Sequence, residues 1–361
     1  MTVLPANDPA LTEEVSSVIA PTLSAIRNNC HISDAQHATD FTLCVYLLKM
    51  REYYRWENSL PFSAPLSHGE LTDWLTERER LWESLGEQSF EPVPIGNREY
   101  DPFDADTIND RVNHLGYVYS SGIGRNLKPH FFIGSLEETR RHNGYTLYLS
   151  GREYARDLSA PPAMSLGTSI FIRRESLRRM LWEKFEEWRW NKPANAMQKA
   201  IACYDFDGSP DEALNRMVDN EVRSVMLHEI GEVMAGEILG CDWENLLAGL
   251  PHSKAELMIR AVRDHLADTL STLPGLLEDA NPASLHFYIA NLGNLRKSLC
   301  PTLVAAYETW ERTGDNSKLD TVARKGREHW SSVASDILTL YREDPADLQE
   351  RIISRIEAAT F

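Results

Sequence analysis

The chain has 361 residues, 42% hydrophobic and 25% charged, which suits a globular protein of one large or two ordinary domains and excludes wholesale disorder. Its 37 Lys plus Arg against 54 Asp plus Glu give a formal charge of -17, which repels phosphate backbones and anionic lipid and argues against nucleic acid or a membrane surface as partner. Five scattered cysteines without a C-x-x-C pair (Cys30, Cys44, Cys203, Cys241 and Cys300) predict reduced thiols, and with no basic start and apolar core over 1–14 and no long apolar run the expected location is the cytoplasm.

In chain order, the first third predicts helices: 11–27, 34–56 behind the N-cap Ser33, and 69–84 with Trp74 and Trp82 on its apolar side. Proline-bearing connectors, 59–66 and 90–103, separate them. After Pro129 the character changes. Segments 130–136 and 145–150, rich in aromatic and aliphatic residues, flank Asn143-Gly144, the dipeptide of a type I′ hairpin turn, and 168–173 reads as a third strand beyond Pro161-Pro162. From Glu175 the pattern is helical: 175–190, 194–202, 210–239, 254–273, 284–299, 301–312, 318–341 and 345–359. Gly240 sits where a helix-ending glycine belongs. The expected fold is mainly α, a helical bundle with a small antiparallel sheet (hairpin at about 130–150 plus strand 168–173), divided into a helical region 1–128 and a sheet-plus-helical domain 129–361. Trp182, Trp188 and Trp190 with Phe185 predict an aromatic helix face packed on that sheet.

The chemistry concentrates on helix 210–239. At 100° per residue, Glu221, His228 and Glu232 fall within an arc of roughly 40°, with Glu229 just off its edge, while Val222, Met226, Ile230 and Val233 lie opposite. Such a stripe can hold a cation. It can equally pair with Arg260 and Arg263 of the next helix as an ion network without metal. His286, in Leu285-His286-Phe287-Tyr288, reads as a core histidine or an alternative ligand. The run Arg173, Arg174, Arg178 and Arg179 predicts acid pairing or an anion site.

The order of short sheet, helix and His228-Glu229-Ile230-Gly231-Glu232 resembles the zincin metallohydrolases, whose signature is H-E-x-x-H, and Asp264-His265-Leu266-Ala267-Asp268 resembles the later acid motif of the gluzincin branch. That resemblance, over 145–273, implies His228, Glu232 and Asp264 as metal ligands, Glu229 as general base and Asp268 as the acid that orients the histidine. The chain departs from the pattern at two ligands, since position 232 is Glu rather than His and position 264 is the shorter Asp. A carboxylate-rich set acidifies bound water less than two imidazoles do and moves preference from zinc toward manganese or iron. With His265 or His286 turned inward the set would become a dinuclear iron or manganese bundle, although the usual Glu-x-x-His repeat is missing. The whole chain also resembles a bacterial family of conserved hypothetical proteins, through Ser150-Gly151-Arg152-Glu153-Tyr154, the His228 motif and Arg263-Asp264-His265-Leu266-Ala267-Asp268, which implies no activity.

Other motifs are missing or weak. Gly122-Ile123-Gly124 lacks the third glycine of a dinucleotide site, no G-x-S-x-G elbow or P-loop occurs, and an HD-type phosphohydrolase would need a further histidine between His142 and His228. The expected function is therefore a metal-dependent hydrolase acting on a small molecule or peptide. The alternatives are a non-catalytic scaffold or partner-binding protein, with homo-oligomerisation open, and a dinuclear oxidase.

Overall fold

The computed structural model describes residues 9–124, 127–142, 144–250, 253–343 and 346–361. Two compact units divide the chain, 1–182 and 183–361. The N-terminal unit begins with α1 (Pro9–His37), α2 (Leu43–Glu57) and α3 (His68–Leu85), then a small hairpin of β1 (Val93–Ile95) and β2 (Arg98–Tyr100), and α4 (Ala105–Val112). Its main sheet is built from β3 (Tyr117–Ile123), β4 (Pro129–His142), β5 (Tyr145–Arg156), β6 (Ala163–Leu166) and β7 (Ser169–Arg173), in the order β3-β4-β5-β7-β6.

The expected hairpin is β4 with β5, paired from Phe132↔Arg156 to His142↔Tyr145, and the expected third strand is β7. Asn143 of the expected turn lies outside the described residues. The sheet is larger than a hairpin and one strand, and it is mixed, because β5 and β7 run parallel. Pro161 and Pro162 lack the N–H groups of a tight return. The chain instead passes to the outer edge as β6, pairs antiparallel with β7, and so delivers β7 alongside β5. In β3, Tyr-Val-Tyr-Ser-Ser-Gly-Ile carries a weak strand signal; Asn109 of α4 secures it by donating to the Tyr119 carbonyl (2.7 Å) and accepting the Tyr119 N–H (2.9 Å).

The division expected at 128/129 is corrected to 182/183. One face of the sheet needs cover, and Ile19, Ile26 and Cys30 of α1 provide it against Phe131, Ile133 and Ala155, so the first helices and the sheet share one core. Ser33 is not an N-cap: it lies inside α1, buried, and its hydroxyl donates to the Pro129 carbonyl.

Charges are buried beneath that sheet. Lys128 meets Asp34 at 2.8 Å, Asp34 also accepts the Leu158 N–H, and His130 meets Asp157 at 3.2 Å. Glu153 accepts from Arg173 (2.9 Å) and Ser176 (2.7 Å). Two members of the arginine run are acid-paired: Arg173 is buried on Glu153, and Arg174 pairs with Glu137 at 3.1 Å near the surface. Arg179 donates to the carbonyls of Ser159 and Ala160, holding a turn in which Ala160 adopts φ 37.

The helix α5 (Arg174–Asn191) crosses the division. Its aromatic residues do not form the single sheet-facing stripe expected of them: Phe185 stacks on Phe206 at 4.2 Å and Trp190 is 88% exposed. The C-terminal unit continues with α6 (Ala196–Ile201), α7 (Pro210–Leu239), α8 (Cys241–Ala248), α9 (Lys254–Ala267), a π-helical turn (Asp268–Thr272), α10 (Leu273–Asp279), α11 (Pro282–Asn291), α12 (Asn294–Leu299), α13 (Pro301–Thr313), α14 (Ser317–Glu343) and α15 (Leu348–Glu357). Gly240, at φ 70, ends α7 as its position predicts, with its N–H on the Gly236 carbonyl. The helix expected over 284–299 breaks at Leu292-Gly293 into α11 and α12. Trp243 and Trp330 lie fully buried in this unit's core.

Candidate functional site

The site forms where α7 crosses the end of α9. Gly231 makes the crossing: a Cβ there would lie 2.3 Å from the Ala267 carbonyl oxygen and 2.8 Å from its carbon, so only a residue without a side chain lets the two backbones approach. One turn earlier on α7, His228 then reaches the start of the π-helical turn, where its Nδ1 lies 3.0 Å from Oδ1 of Asp268. The wide turn, closed by the Leu273 N–H on the Asp268 carbonyl, is a feature often found where a helix serves function.

Asp268 is the hub. Its Oδ1 also accepts from Thr272 Oγ1 (2.9 Å), its Oδ2 accepts from Tyr288 Oη (2.9 Å), and the Arg296 guanidinium of α12 closes on Oδ2. Burial alone would raise its pKa, but the Arg296 charge and then the His228 bond and charge hold it well below the usual carboxylate range. For His228, burial pulls down while the Asp268 hydrogen bond and charge, with Glu232 and Glu229, push up, and the balance lifts it from 6.5 to about 9. At neutral pH the pair is imidazolium on carboxylate. Its Nδ1 is committed to Asp268, and the side chain is 35% exposed.

The other predicted residues divide. Glu232 pairs with Arg263 at 2.8 Å, and the same guanidinium reaches Glu244 at 3.2 Å. Asp264 lies 3.9 Å from Arg296. Arg260, expected to meet the stripe, pairs instead with Glu256 of its own helix at 2.8 Å. Glu221 stands two turns before His228, where it accepts from Ser284 Oγ (2.9 Å), and burial raises it to about 7. His265 turns away: its Nε2 donates to the Arg296 carbonyl (3.0 Å), its ring stacks on Trp330 at 4.6 Å, and burial followed by the Arg296 charge lowers it to about 3. His286 lies beside Tyr307 and Trp310. Neither His265 nor His286, expected as alternative ligands, joins the acids.

The residues present do not fit a divalent metal, whether zinc, manganese or iron. Two of the three expected ligands, Glu232 and Asp264, face guanidinium groups, and among the described residues no group of three His, Cys, Asp or Glu side chains is disposed to hold an ion. An arginine supplies the positive charge without a coordination sphere. Arg263 was visible in the sequence as a partner. Arg296 was not, because it reaches the cluster only through the α11–α12 break.

Glu229, expected to be a general base, is raised to about 7 by burial, with His228 and Arg263 lowering it and Glu232 raising it. An acid whose folded pKa exceeds its ordinary 4.5 destabilises the fold increasingly as pH rises from about 4.5 through 7. Glu229→Gln should therefore raise the thermal midpoint relative to the parent chain at pH 8 and leave it nearly equal at pH 4.5, as followed by circular dichroism. An equal effect at both pH values would remove the burial argument.

Two family models match the chain: the N-terminal domain of the family of unknown function DUF6866 over 22–173, and its C-terminal domain over 178–359. Their junction falls in α5, as does the division into two units. No curated protein and no solved structure matches the chain. With both models in order and the second alone spanning half its length, the chain belongs to the family DUF6866.

Proposed function

We propose that this protein is a non-catalytic scaffold or partner-binding protein whose C-terminal unit keeps a zincin-like pair of helices with arginines in place of a metal ion. The observation that carries this reading is the Arg263–Glu232 pair at 2.8 Å together with Arg296 on Asp268, which meets the charge of the acid cluster from within the chain. Exposed apolar side chains on the first turns of α2 add support, since Leu43 is 70% and Leu48 54% exposed, and grouped apolar surface of this kind commonly marks interaction. Elemental analysis of protein purified without chelator tests the proposal. The expected result is far less than one transition-metal ion per chain and a thermal midpoint unmoved by EDTA. One equivalent of metal that disappears in His228→Ala would overturn it.

A metal-dependent hydrolase is the second reading, and it requires Arg263 and Arg296 to leave the acids Glu232 and Asp264 that they face here. The observation in its favour is the His228–Asp268 hydrogen bond, the arrangement that the zincin resemblance implies for an orienting acid and its histidine. The same metal measurement separates the two.

A further inference from the structure

Away from the ion network, the C-terminal unit has a cavity of about 390 Å³ walled by α10, α11 and α13 and by the turn between α13 and α14. That volume lies within the usual span of small-molecule pockets, about 300–1,000 Å³. Leu276, Leu277, Pro282 and Leu285 supply apolar lining and Trp310 an indole. His286 stands beside that indole, with ring centroids 5.1 Å apart, and its Nδ1 is engaged by the Tyr307 hydroxyl at 2.8 Å. The tie commits Nδ1 and leaves Nε2 as the ring's remaining polar atom. Burial first, and then the nearby Lys199, lower the His286 pKa, which favours the neutral imidazole.

The charge pattern narrows the ligand. Among the described residues Glu311 is the one charged residue lining the cavity, and Lys199 closes on it as an ion pair, so neither an anion nor a cation finds an uncompensated partner there. The turn from α10 to α11 is held in place. Ala280 adopts the left-handed φ 49, which a residue with a Cβ rarely takes, and the Asn281 side chain accepts the Ala283 N–H to start α11. A wall fixed in this way costs a ligand little ordering.

We propose that this cavity binds an uncharged planar heteroaromatic ligand of nucleobase size, its ring against Trp310 and its polar edge on His286. Neither His286 nor Trp310 is bonded into the Asp268 network, so the site stands or falls separately from the proposed function. Saturation-transfer NMR on the full chain, with adenine and uracil as planar probes and cyclohexanol as the non-planar control, tests it. Saturable transfer to at least one planar probe and none to cyclohexanol is expected, with affinity reduced about tenfold by Trp310→Leu, the size of a lost stacking contact. If Trp310→Leu does not fold, His286→Gln is judged by the same criterion. Failure of both planar probes to bind, equal transfer to cyclohexanol, or unchanged affinity in a folded variant would overturn the proposal.

Discussion

Gly231→Ala should cost the C-terminal unit about 3 kcal/mol or more, the upper end of what overpacking a fitted interior does. The atoms that a new Cβ would meet belong to the backbone of Ala267, not to a flexible side-chain tip, so relief requires α7 and α9 to separate. Separation also pulls His228 from Asp268, which lies one residue beyond Ala267. Urea unfolding would show a lower midpoint, and NMR titration of His228 would show its pKa falling from about 9 toward the ordinary 6.5. A loss below about 1 kcal/mol would mean that the crossing opens freely, against the close packing of protein interiors.

The second large effect is expected at Asp268→Asn. A neutral amide there leaves Arg296 and His228 without their counter-charge and turns an NH2 group toward donors, and removing one partner of a buried ion pair costs about 3–5 kcal/mol. The pH dependence gives the result its signature. Asp268 is depressed below its ordinary 3.8, so its contribution is present above that pH and is lost as pH falls beneath it. His228 is raised, so its contribution is complete below 6.5 and is lost as pH rises through about 9. Stability from this pair therefore peaks between about pH 4 and 6.5 and declines on both sides, and the variant should lose most in that window. A variant that loses equally at pH 5 and pH 10 would show that Asp268 acts by packing and not by charge.

Both predictions turn on residues that the amino-acid pattern had already marked, but for different reasons. The acid and histidine spacing of α7 and α9 was legible, and it did bring His228 next to Asp268. The occupant of the cluster was not. Carboxylates on a helical stripe look the same whether a dication or a guanidinium will meet them, because either charge satisfies the same pattern. Gly231 read as the middle of a motif, whereas its role is steric and depends on a backbone 36 positions later in the chain.

Residue order by itself determined the local elements of this protein: the span of α7 and its end at Gly240, the β4–β5 pairing, the strand β7, and the predominance of helix. Each follows from side-chain period, capping or turn preference within a few residues. Only the tertiary structure decided that β7 lies parallel to β5, that α1 and the sheet form one core dividing from the rest at 182/183, and that Arg296 closes on Asp268. Those outcomes depend on which distant surfaces must be buried together, and a buried charge takes whichever partner the packing delivers.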